Sequence, residues 1–179
     1  MNTMTVKKIL GLPPLSLLNE LLEISETSPS GLRWKNPNPQ ARNVKAGAVA
    51  GCKRPDGYWR IRITTDKTRR YYAHRIVYAL QAREDPGELQ VDHIVGLEEP
   101  LKLRLATNSQ NSANQKSVTG SSSYKGVCWH KRAKKWIAQI EVNNKRIYLG
   151  YFKDEQEAAA AYNKAAVKYF GEFKHLNVF

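Results

Sequence analysis

Between Tyr124 and Gly171 the chain can fold in few ways. Three short runs alternate apolar and polar residues, and a long alanine-rich run follows them. Tyr124 to His130, Trp136 to Val142 and Lys145 to Tyr151 show the period of two expected of half-buried strands. Asn143-Asn144, between the second and third runs, suits a two-residue turn at positive φ. Asp154 with Glu157 three residues on spells a capping box. The helix it opens extends to about Phe170, where Gly171 stops it. Ala158, Ala161, Ala165 and Ala166 give that helix a small face able to lie close on a sheet. The expected unit is a three-stranded antiparallel sheet packed on one helix.

Alternation also sorts the faces. Trp136, Ala138, Ile140 and Val142 point to the helix, as do Ile147, Leu149, Val127 and Trp129. Ile137, Gln139, Glu141, Arg146, Tyr148, Cys128 and His130 point away, with Lys125 at the start of the first strand. Lys131, Arg132, Lys134 and Lys135 crowd the turn beside them. A sheet of this kind can enter a major groove, where Arg reads guanine and Gln reads adenine. The same residues also suit a solvated basic face, and charge alone leaves the two readings level.

Across all 179 residues, 29 Lys and Arg stand against 16 Asp and Glu, a net charge of +13. That excess calls for a polyanionic partner, with double-stranded DNA ahead of an anionic membrane. No run approaches the roughly 20 apolar residues of a spanning helix, and Met1 to Pro14 lacks a cleavage-site pattern. A cytoplasmic location is expected. Cys52 and Cys128, the two cysteines, lack paired zinc-ligand spacing, so no zinc is expected.

Upstream, Pro14 to Ile24 has helical spacing and Leu32 to Lys35 strand character; Asn36 to Gln40 reads as loop. Gly57 to Thr64 alternates, with Trp59, Ile61 and Ile63 on one face and Arg60 and Arg62 on the other. Asp66-Lys67 turns the chain back through Arg69 to Tyr72, and a helix is expected over Ala73 to Ala82. Gln90 to Ile94 reads as a strand and Thr107 to Gln115 as a helix. Ser117 to Ser123, SVTGSSS, is a polar linker. Arg60, Arg62, Arg69 and Arg70 form either a DNA-backbone track or solvated surface, and Arg75 is a further phosphate-contact candidate. His74 has the structural reading of a hydrogen-bonded helix residue.

Asp92-His93 and Asn111 bring a carboxylate, an imidazole and an amide into one stretch. A hard cation such as Mg²⁺ takes carboxylate and amide oxygens, and an imidazole can activate water for phosphodiester hydrolysis. The motifs GYWRIRI, AHRIVYAL, VDHI, LRLATNSQN and the trailing Asn114 make residues 57–116 resemble the HNH homing endonucleases of phages and bacteria. That resemblance implies a ββα-metal core with Asp92 and Asn111 as metal ligands, His93 as general base and one divalent cation, with no small-molecule cofactor. Lys102 stands where the family has its middle asparagine, in a shortened loop, and a lysine cannot accept a hydrogen bond from the imidazole. Two readings therefore stand: a nuclease that nicks or cuts DNA, or a catalytically silent DNA-binding protein.

YKGVCW, KKWIAQI, KRIYLGYF, EAAAAYNKAA and FGEF followed by LN make residues 123–177 resemble the APETALA/ethylene-response-factor DNA-binding domain. The resemblance implies DNA contacts from Lys125, Cys128, His130, Gln139, Glu141, Arg146 and Tyr148. Cys128, His130 and Glu141 stand where the plant regulators carry arginine, so the preferred sequence should differ from theirs. The expected fold class is α+β: a run-in at 1–56, an HNH core at 57–116, a linker at 117–122 and the sheet-and-helix domain at 123–179.

Overall fold

The computed structural model describes residues 10–37, 44–114 and 121–179. It divides into two units, Met1–Leu105 and Ala106–Phe179.

In the first unit, α1 (Leu15–Leu21) gives way to β1 (Leu22–Ile24), which pairs antiparallel with β2 (Leu32–Trp34). The helix expected through Ile24 thus ends early, because Leu22–Ile24 is needed as a strand partner. The reversal between them is built from side chains: Ser28 and Ser30, both buried, donate to the Leu32 carbonyl at 2.7 and 3.0 Å. β3 (Cys52–Lys53), β4 (Trp59–Thr64) and β5 (Thr68–Tyr72) form a second antiparallel sheet. As the alternation requires, Ile61 and Ile63 are buried while Arg62 is exposed. α2 (Ala73–Ala82) has the bounds read from the sequence and ends at Arg83, whose φ of 59° breaks the helix. Its Ile76 and Val77 join Leu18, Leu22, Leu32 and Ile61 in one core. β6 (Gln90–His93) and β7 (Leu103–Ala106) pair as a two-stranded sheet.

The second unit begins ahead of the expected linker. α3 (Asn108–Asn114) packs here, with Ala106 and Ala113 in the same cluster as Tyr162, Phe170 and Phe173. Of the linker itself, residues 117–120 lie outside the described ones, as do 38–40 of the expected loop. β8 (Val127–His130), β9 (Lys135–Val142) and β10 (Lys145–Phe152) form the predicted antiparallel sheet in the order β10-β9-β8. Asn143 and Asn144 take φ of 50° and 61°, the positive-φ pair that a tight hairpin twist demands.

α4 (Glu155–Phe170) lies on this sheet through Ala158, Ala159, Ala165 and Ala166, all buried. Asp154 caps it: Oδ1 accepts from the Gln156 and Glu157 amides at 2.7 and 3.1 Å. Such a cap contributes about 1 kcal/mol. A short 3₁₀ turn, Gly171–Phe173, follows. The C-terminal residues are then held by an amide clamp. Asn177 N–H donates to Asn163 Oδ1 at 2.8 Å, and the Asn177 side chain exchanges hydrogen bonds with the Lys125 main chain at 2.7 and 3.1 Å.

Two local details shift the expected faces of the sheet. Ile137, expected outward, is buried: it occupies the central strand, directly between Cys128 and Tyr151, which cover it. β10 carries a bulge between Tyr148 and Gly150, so Tyr148 opposes Gln139 and Gly150 opposes Ala138. The extra residue puts Tyr151 on the same face as Tyr148. Among the described residues no helix is long and apolar enough to cross a membrane.

Candidate nucleic-acid interface

The outer face of β8–β10 is a small grid. Cross-strand register places Glu141 opposite Arg146, Gln139 opposite Tyr148, Ile137 between Cys128 and Tyr151, and Lys135 opposite His130. Tyr148 and Tyr151 are 68% and 56% exposed, unusual for aromatic side chains without a partner surface. His130 is oriented: its Nδ1 accepts from the Ala133 amide at 3.0 Å, so the ring proton belongs on Nε2. Its ring also meets that of Tyr151 edge-on, with centroids 5.5 Å apart. The face thus offers an imidazole N–H, an amide, a carboxylate, a guanidinium and two phenols, all on strands rather than loops. Tyr151 was not singled out by the sequence. Strict alternation assigns it inward, and only the bulge turns it outward.

Lys125 departs from its expected role. Its Nζ donates to the carbonyls of Ser112 and Ala113 at 2.9 and 2.7 Å, at the C-terminal end of α3. There it meets the negative end of a helix. Burial lowers its ammonium pKa to about 8. The lysine expected to touch DNA is a structural tie between α3 and the sheet.

Residues 122–172 match the family model of the AP2 domain. An AP2 domain implies DNA binding. The matched stretch begins two residues ahead of Tyr124 and takes in all three strands, α4 and the start of the 3₁₀ turn. Over 54 residues the chain is 46% identical to the AP2-like ethylene-responsive transcription factor PLT2 of Arabidopsis thaliana, covering 29% of this chain and 10% of that protein. Over 54 residues it is 44% identical to the ethylene-responsive transcription factor WRI1 of the same plant, covering 29% and 13%. It is also 44% identical over 54 residues to the AP2-like ethylene-responsive transcription factor CRL5 of Oryza sativa, covering 29% and 8%. The chain therefore spans only about a tenth of the length of these relatives.

These findings correct the nuclease reading. The AP2 match and relatives named as transcription factors speak for DNA binding, not for a homing endonuclease. An HNH core, metal binding and a phage source are without support, and plant relatives give no footing to a bacterial location.

The geometry of residues 57–114 agrees with that correction. Asp92, expected to hold a metal, is buried, and its Oδ2 accepts from Arg104 Nε at 3.1 Å while Arg104 Nη2 stands 3.1 Å away. A Mg²⁺ ion at that oxygen would face the guanidinium charge. Asn111, the second expected ligand, lies on α3 in the other unit. Among the described residues no group of three or more His, Cys, Asp or Glu side chains is placed to hold a metal. Lys102 turns to solvent with Nζ 3.5 Å from Glu99 Oε1, while its carbonyl accepts from the Ile94 amide at 2.9 Å.

His93 sits in a ring cluster, 5.1 Å from His74 and 6.0 Å from Tyr58 by centroid. Burial lowers its pKa, against the opposing pull of the Asp92 and Glu98 charges. His74, read from the sequence as a hydrogen-bonded helix residue, is stacked 5.3 Å from Tyr72. Burial first, then the His93 and Arg75 charges, pushes its pKa from 6.5 to about 3. The unfolded chain then binds a proton across that window while the folded one does not. Stability of the first unit is expected to fall as pH drops from about 6.5 toward 3. Urea midpoints across that range should show a steeper slope for the native chain than for His74→Gln. Equal slopes would refute the assignment.

Two arginines expected on DNA are also otherwise engaged. Arg75, 6% exposed, donates to the carbonyls of Leu89 and Gly87, both at 2.7 Å, and so pins the loop after α2. Arg60 lies over the Tyr72 ring at 4.6 Å and donates to its hydroxyl at 2.9 Å. Arg62 is different: it is exposed and directly opposite exposed Arg70. Like charges facing across a strand pair are unfavourable unless an anion lies between them.

Proposed function

We propose that the chain is a DNA-binding regulator that reads duplex DNA with the outer face of β8–β10 and performs no hydrolysis. The observation that carries this is the AP2 match laid over a sheet face of polar and aromatic side chains without apolar cover. Gln139 suits an adenine edge, Arg146 guanine or a phosphate, and Glu141 the amino group of cytosine. With glutamate in place of the arginine typical of the plant regulators at position 141, the preferred site differs from theirs. The net charge of +13 supplies non-specific attraction, and the Arg62–Arg70 pair suits a phosphate of the same DNA.

The test is selection of duplexes from a random pool by the full chain, followed by titration of the selected site. Gln139→Ala with Arg146→Ala should weaken that binding by at least about 30-fold, since each good base contact is worth about 1–3 kcal/mol. Unchanged affinity in the double variant would remove the sheet from the interface.

A further inference from the structure

α3 lies outside the residues that match the AP2 domain, yet it is built into the same unit. Three ties fix it within that unit. Ala113 is buried against the Tyr162 and Phe170 cluster. Ser109 Oγ accepts from the Asn143 amide at 3.1 Å. Lys125 Nζ holds the Ser112 and Ala113 carbonyls. The Gln139 amide meanwhile donates to the Gly126 carbonyl at 2.8 Å. In β9 the main-chain groups of 139 and 141 turn to the same edge, and the Asn143 amide follows at the turn. β8 covers that edge only from Val127, opposite Ala138. Beyond it the Ser109 hydroxyl of α3 meets the Asn143 amide.

The space left between them is a cleft of about 350 Å³. Asn108, Ser109 and Ser112, on one side of α3 by their spacing, form one wall. Gln139, Glu141 and Arg146, members of the reading face, line the other. The reading surface is therefore not an open sheet at this end. Its lining mixes amides, hydroxyls, a carboxylate, a guanidinium and the Lys125 ammonium, itself bound to α3 carbonyls, with Ile140, Tyr162 and Phe170 at its base. A phosphate would meet the Glu141 carboxylate, whereas the edge of a nucleobase presents donors and acceptors side by side. Amides at Asn108 and Gln139 can each pair with such an edge, and Glu141 can accept from an amino group.

We propose that α3 is a second wall of the DNA-reading surface, and that its cleft with β9–β10 takes the edge of a nucleobase flanking the sequence read by the sheet. Asn108 and Ser112 would then help set sequence preference, from outside the matched domain. This rests on the DNA-reading function above.

The test is duplex selection with the full chain and its Asn108→Ala/Ser112→Ala variant. Both residues are exposed, so the variant should keep the native melting temperature. Preference at one or two flanking positions should fall by at least about fivefold, the low end for one base contact, with the central preference kept. A selected site identical to that of the native chain would overturn the proposal, as would a uniform loss of affinity at every position with the fold intact. Gln139→Ala/Arg146→Ala, run beside it, should lose the central preference. If that variant loses it while Asn108→Ala/Ser112→Ala changes nothing, the sheet reads DNA and α3 does not. A native chain that enriches no sequence would overturn both readings.

Discussion

Gly126→Ala is expected to destabilise the second unit severely. Gly126 has a φ of +74°, where an L side chain is strained at about 1–2 kcal/mol. The added methyl would strike the Tyr162 ring and come within 2.5 Å of the Gln139 carbonyl oxygen. Neither obstacle can move cheaply. Tyr162 is 3% exposed in the core under α4, and burial there raises its phenol pKa to about 12. Gln139 is the centre of β9, with its amide bound to Gly126 itself. Strain and overpacking together should cost about 3 kcal/mol or more. That is a large part of the roughly 5–15 kcal/mol that holds a domain folded. Thermal unfolding followed by Trp129 and Trp136 fluorescence should show the loss, and DNA binding should go with it. A native melting temperature would mean that Tyr162 can leave its place.

Arg104→Ala should be the most damaging single change in the first unit. The side chains of Arg104 and Asp92 are only 14% and 9% exposed. Removing the guanidinium leaves a buried carboxylate without its cation, which typically costs about 3–5 kcal/mol. Asp92→Ala added to Arg104→Ala should recover part of that loss, because the stranded charge is gone. Urea unfolding of the four chains measures the coupling directly. A cost below about 1 kcal/mol for Arg104→Ala would show that the pair is dispensable.

The elements were largely legible in the sequence, and the roles of several charged residues were not. The bounds of α2, the Asn143-Asn144 turn and the Asp154 cap follow from local chemistry, which a sequence displays. Arg75, Lys125 and Asp92 needed the third dimension. Each carries a charge that local reading sends outward, and each meets partners 12 to 14 positions away, in the loop after α2, at the end of α3 and on β7. Asp92 and His93 looked catalytic because an acid beside an imidazole is what metal chemistry uses. A buried ion pair and a packed ring use the same two letters. α3 was read as part of the upstream core because helical spacing says nothing about which neighbour receives the helix.

The bulge in β10 sets the phase of everything after it. Leu149 and Gly150 together fill one step of the ladder, so two tyrosines three positions apart, Tyr148 and Tyr151, share a face, and Phe152 returns to the core. Were Leu149 and Gly150 to take one step each, as in a plain strand, Tyr151 would turn toward α4 and Phe152 toward the solvent. The content of the interface is thus written partly in residue count. Loss of the bulge with its residues kept would edit the surface offered to DNA more deeply than any single replacement on it.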